Sequence, residues 1–122
     1  MTFGPHTVTH PILARTSDTQ LRYELSESWS RLRAEARNPV PIYCYPNGQA
    51  GDFGEREMAI LSELGFSAAV TGITGYAGAA HLRAENFGRF RVPRFAYPDS
   101  VPELLLLASG AERFKQLIRR EG

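Results

Sequence analysis

Helix-start signals alternate with short apolar runs along this chain, and that alternation restricts the fold more than any single residue does. Ser17-Asp18-Thr19-Gln20 has the form of a capping box, in which a side-chain oxygen satisfies a free N–H of the first turn. Behind it Leu21, Leu25, Trp29, Leu32 and Ala36 form one helical stripe, with Glu24, Glu27, Arg31 and Glu35 mostly outside it. Asn38-Pro39 stops the helix, because proline disfavours helical backbone in the residue before it. Pro41 to Tyr45 reads as a short buried strand closed by the turn Pro46-Asn47-Gly48. Asp52-Phe53-Gly54-Glu55 repeats the capping pattern and opens a second helix through Ile60, Leu61 and Leu64, with Gly65 at a left-handed cap. Phe66 to Thr71 predicts a second strand, followed by a loop carrying Gly72, Gly75 and Gly78. The alternation in Arg89-Phe90-Arg91-Val92 predicts a third strand. Ser100-Val101-Pro102-Glu103 caps a last helix, expected to turn Leu104 to Leu107, Phe114, Leu117 and Ile118 inward. The pattern is that of an α/β protein with mainly parallel strands, in one domain over residues 1–122. Three or four strands are too few to close a barrel.

Charge and length remove several function classes. The 14 basic and 13 acidic side chains leave a formal charge of +1, whereas a nucleic-acid surface needs clustered positive charge. No apolar run approaches the ~18 residues of a membrane span. No leader precedes the first motif, which assigns the chain to the cytoplasm by default. Cys44 is the single cysteine, so no intramolecular disulfide can form.

Two of the three histidines stand four residues apart in His6-Thr7-Val8-Thr9-His10-Pro11. On helical backbone that spacing lets both imidazoles reach one ion. Imidazole suits zinc, cobalt, nickel or copper rather than magnesium or calcium. Surface or capping histidines are the alternative reading of the spacing alone.

The order of motifs narrows the choice. His6-Thr7-Val8-Thr9-His10-Pro11, a capped helix, Tyr45-Pro46-Asn47-Gly48, then Leu64 to Thr71 and Arg91-Val92-Pro93-Arg94 resembles the polysaccharide deacetylase family, the NodB-homology domain of carbohydrate esterase family 4. The resemblance covers nearly the whole chain. It implies a partial (β/α) barrel and metal-assisted hydrolysis of an acetyl group, from nitrogen or oxygen, on a carbohydrate. It further implies His6 and His10 as ligands of a divalent metal, zinc first, with cobalt or nickel as alternatives. Thr7 and Thr9 become loop-fixing residues. The Asn47 backbone N–H becomes the donor to the developing oxyanion, and Tyr45, Pro46, Asn47 and Arg94 become substrate-binding residues. For Pro46-Asn47-Gly48 an ordinary tight turn is the competing reading. An acetylated carbohydrate is the implied partner, and the family's full-length members imply a cell-envelope location.

The chain also departs from that pattern. The family's first motif is an aspartate pair, supplying the base and the third metal ligand, on a strand before the histidines. Only five residues precede His6 and none is acidic. Asp18 and Asp52 are explained as helix-start residues, and Asp99 borders the last cap. Cys44 stands where an arginine is common and Asn47 replaces the usual aromatic. His81 lies in a loop and is a weak match to the family's late catalytic histidine. The domain is thus expected to be incomplete at its N-terminus, with activity in doubt. A non-catalytic carbohydrate-binding or assembly module that keeps the fold is the alternative. The loop glycines lack the lysine of a phosphate-binding loop, Cys44 reads as a small core residue, and Arg89, Arg91 and Arg94 read as a solvated strand face. Missing neighbour strands would leave apolar strand edges open, which predicts a homodimer that covers them.

Overall fold

Two three-residue strands, β1 (Ile42–Cys44) and β2 (Ala68–Val70), pair in parallel, with Ile42 opposite Ala68 and Cys44 opposite Val70. The computed structural model describes residues 1–83 and 85–121. Helix α1 (Asp18–Glu35) precedes β1, and α2 (Glu55–Glu63) crosses from β1 to β2. Then follow a short α3 (Ala79–Leu82), a 3₁₀ segment (Glu85–Phe90), α4 (Val101–Ala108) and α5 (Ala111–Glu121). Among the described residues no helix is long and apolar enough to cross a membrane.

Local chemistry explains the helix starts. Ser17 accepts from the Gln20 N–H at the head of α1, as its motif predicts. The second helix starts two residues later than its motif suggests. Gly54 is the N-cap, its N–H donates to Glu57 Oε2 at 2.7 Å, and Asp52 instead accepts from the Gln49 N–H within the preceding turn. Arg56 then ties α2 to the start of α1 by donating to the Leu13 and Thr16 carbonyls and to Asp18.

One face of the sheet is buried. Tyr43 and Ala69 meet Leu21 and Leu25 of α1 and Met58 and Leu61 of α2, with Phe66 and Phe90 completing the core. Such apolar burial stabilises by roughly 25 cal/mol per Å². Across the sheet, Ile42 is exposed and Cys44, Ala68 and Val70 are half-buried. A small parallel sheet with helices on one side and an open opposite face is a partial barrel.

Three expectations are corrected. Arg89 to Val92 do not form a strand: residues 85–90 coil into 3₁₀ turns, and only Val92 reaches the sheet, in a single bridge to Val70. The last helix is two, broken at Gly110, where φ is +77°. Its large apolar residues are exposed apart from the half-buried Leu107, with Leu105 63% and Ile118 71% exposed. The sheet edges are also covered from within the chain. Residues 3–5 run beside β1 (Phe3 N–H to Asn38 O, Val40 N–H to Phe3 O, Cys44 N–H to Pro5 O), and Val92 exchanges bonds with Ala69 and Thr71 beside β2. Open strand edges therefore give no ground for a dimer.

Candidate functional site

The C-terminal ends of the parallel segments gather His6, the Asn47 turn and Gly72 at one edge of the sheet, where ligands of parallel α/β folds commonly bind. His6 follows the segment paired to β1. Its Nδ1 lies 2.7 Å from the Cys44 carbonyl oxygen at the end of β1. A carbonyl only accepts, so Nδ1 carries the proton and Nε2 keeps the lone pair. This is the orienting bond that ligating histidines typically make to a second group.

His10 is brought against His6, with ring centroids 4.8 Å apart and planes at 69°. The route differs from the helical one that the spacing suggests. Residues 6–10 form a loop in which Thr7 and His10 take positive φ, 69° and 59°. Such backbone costs L-residues energy and persists only where neighbours hold it. Thr7 Oγ1 supplies one restraint, donating to the His6 carbonyl and accepting from the His10 N–H. Glu24 supplies the larger one. Its carboxylate accepts from the Val8 N–H at 2.6 Å, the Thr9 N–H at 3.0 Å and the Thr9 hydroxyl. Glu24 is 1% exposed. Burial pushes its carboxyl up, but the Thr9 hydroxyl and the Thr9 and Val8 N–H groups outweigh that and hold it below the usual range.

Glu24 was expected on the solvent side of α1 and is instead the buttress of the histidine loop. The helical period holds a signal for it. Positions 21, 24, 25 and 28 follow i, i+3, i+4, i+7, and all four are buried.

The other candidates separate. Tyr45 is 1% exposed, stacks on Phe53 and donates its hydroxyl to the Phe90 carbonyl at 3.0 Å. It is a core residue, and Pro46 is buried with it; neither offers a surface to substrate. Replacing Tyr45 with Phe is expected to cost about 1–1.5 kcal/mol by orphaning the Phe90 carbonyl, and denaturant unfolding of the two proteins checks it.

Asn47 is exposed with φ at 59°, and among the described residues its backbone N–H has no acceptor. Gly48 beside it accepts from the Gly72 N–H at 2.9 Å, joining the two loops. Arg94 is exposed and lines a separate cleft of about 530 Å³ with Phe95, Tyr97 and Leu104. The cleft beside His6, about 550 Å³, is lined by residues 4–8 and by Ser28, Arg31, Leu32 and Glu35 of α1. His81 Nδ1 accepts from the Gly78 N–H and caps α3.

As a metal centre the site is partial. Two imidazoles stand together, one with its tautomer fixed, which fits nitrogen donation to a transition metal. Among the described residues no group of three or more His, Cys, Asp and Glu side chains is placed to hold an ion. Among the described residues the pair has no third protein donor.

A family model described as polysaccharide deacetylase matches residues 1–69. Among solved structures, the Streptococcus pyogenes deacetylase PplD in complex with acetate is similar, with a TM-score of 0.67 and 27% sequence identity. The similarity covers 84% of this chain and 42% of that one, so the chain spans less than half of that relative. No curated protein sequence matches it.

Proposed function

The chain belongs to the polysaccharide deacetylase family, and from that premise we propose that its site serves metal-dependent hydrolysis of acetyl groups on a carbohydrate, with His6 and His10 as two metal donors. The observation that carries this reading is the imidazole pair, 4.8 Å apart and oriented by the Cys44 carbonyl. A divalent cation held there, zinc first and cobalt or nickel next, supplies Lewis-acid polarisation of the acetyl carbonyl and a more acidic water.

The chain's own residues have narrower tasks. Cys44 O keeps the proton on His6 Nδ1. Glu24 and Thr7 hold the loop that presents both rings. The free Asn47 N–H is the donor for the oxyanion of the tetrahedral intermediate. No carboxylate of the described residues joins the histidines, so general-base catalysis, typically worth 10²–10⁴-fold, has no agent here. Acetate release by these 122 residues is expected at background. That same lack supports a second reading, a sugar-binding module that keeps the fold without turnover.

Calorimetric titration with zinc or cobalt tests the first reading. One ion per chain is expected, with affinity lost at least tenfold in His6→Ala and in His10→Ala. Absence of binding at millimolar cation would overturn it. Acetylated chitooligosaccharide separates the readings: binding unaffected by a chelator, without acetate release, supports the module. Robust acetate release abolished by His6→Ala would show that a carboxylate acts from an unforeseen position.

A further inference from the structure

The last two helices expose apolar side chains that an isolated domain ordinarily buries. On α4 Val101, Leu104 and Leu105 fall at i, i+3 and i+4, and on α5 so do Phe114, Leu117 and Ile118. Each of the six is between 50% and 71% exposed. The helices pack against each other across the Ser109–Gly110 turn, and Tyr76 anchors them to the body by donating to the Leu107 carbonyl at 2.9 Å. The hairpin is thus held in place with these side chains at least half exposed, Leu104 at the cleft beside Arg94 and Leu117 at the cleft beside Ile73 and Pro93.

We propose that this hairpin is a self-association surface, on which a second copy of the chain packs its own α4 and α5 about a two-fold axis to form a four-helix bundle. The area fits such an occupant. Six half-exposed side chains at roughly 100–120 Å² each present about 600–700 Å², before any rim is counted. A stable two-chain interface buries ~800 Å² per partner, and ~1,200 Å² in total is its lower bound. A patch of this size stands at the upper end of the roughly 300–600 Å² that monomers leave open, where such patches are often functional. The i, i+3, i+4 stripes on both arms are the pattern that antiparallel helix pairs interlock in bundles. A two-fold axis sets α4 and α5 of one chain against the same stripes of its partner, so the surface is self-complementary and the assembly closes. The sheet edges are paired within the chain, so this surface is distinct from them.

Analytical ultracentrifugation of the full chain at 10–100 µM, with vesicle co-sedimentation, tests the proposal. Wild type is expected at twice the 13.6 kDa chain mass. Leu105→Glu with Ile118→Glu is expected to weaken association at least tenfold with unchanged circular dichroism, since both positions are already exposed. Leu105→Ala with Ile118→Ala should weaken it in the same direction if the charged pair does not fold. Ile42→Glu, on the open sheet face, is expected to remain dimeric. A monomer at 100 µM, open-ended oligomers, or a dimer broken by Ile42→Glu and not by the hairpin variants would overturn the proposal. Binding to vesicles of 25% phosphatidylglycerol in phosphatidylcholine that dissociates the dimer would also overturn it, assigning the face to lipid.

Discussion

Replacing Glu24 with alanine is expected to lower the unfolding free energy by about 3–4 kcal/mol and to release the histidine loop. The carboxylate accepts from two backbone N–H groups and one hydroxyl, and hydrogen bonds to a charged acceptor contribute ~1.5–3 kcal/mol each. Re-solvation of the Thr9 side of the loop offsets part of the total, because Thr9 is exposed. In a domain of this size the remainder corresponds to roughly 10–15 °C in Tm. Glu24→Gln keeps an acceptor and should lose about half as much. The cation affinity of the His6–His10 pair should fall with the alanine variant, since Thr7 and His10 would no longer be held at positive φ. The folded carboxyl lies below the usual range, so this contribution is present above the unfolded value of about 4.3 and disappears as pH falls through the folded value. The stability gap between wild type and Glu24→Ala should therefore narrow as pH falls below the ordinary carboxylate range. An alanine variant within 1 kcal/mol of wild type at pH 7 would remove Glu24 from its assigned role.

Glu24 also marks where the chain is legible and where it is not. Capping chemistry is local, and Ser17 with Gln20 and Ser100 with Glu103 form the caps their spacing predicts. Proximity of His6 and His10 is likewise a four-residue matter, although it is reached through left-handed turns. Glu24 is buried by a loop 15 and 16 residues away, and its charge argues for solvent until that partner is known. Tyr45 fails for a similar reason. Its position after β1 suggests a binding surface, but the Phe90 carbonyl that takes its hydroxyl lies 45 residues on. At Arg89 to Val92 the period-2 pattern competes with a 3₁₀ coil, and the coil wins in all but Val92. The outward turn of Leu105 and Ile118 runs against the rule that apolar stripes face the core. No periodicity can tell a stripe made for the chain's own core from one made for another surface.

A methyl group added at Gly72 is expected to destabilise the protein by about 3 kcal/mol and to displace the Asn47 turn. A Cβ built there would overlap the Asn47 carbonyl oxygen, and one built at Gly48 would overlap the Gly72 nitrogen. Both obstacles are backbone, so no side-chain rotation relieves them. Gly48 also has φ at +73°, where an L-residue costs a further ~1 kcal/mol. The two loops touch in this way because the Gly72 N–H donates to the Gly48 carbonyl, and Gln49 Nε2 donates to the Gly72 carbonyl at 3.1 Å. Gly72→Ala must part them and lose both bonds, each worth ~1 kcal/mol, besides the strain. Gly51 lies in the same turn region with nothing within 4 Å of an added Cβ. Gly51→Ala should therefore stay within about 0.5 kcal/mol of wild type, or gain slightly from a stiffer unfolded chain. Paired denaturant melts of the two variants read this contrast directly. Amide exchange at Gly48, whose N–H donates to the Pro46 carbonyl at 2.6 Å, reports the turn itself, and it should accelerate only in Gly72→Ala. Equal stability of the two variants would mean that the Asn47 turn can move away from Gly72 at little cost. The N–H assigned to the oxyanion would then not be preorganised.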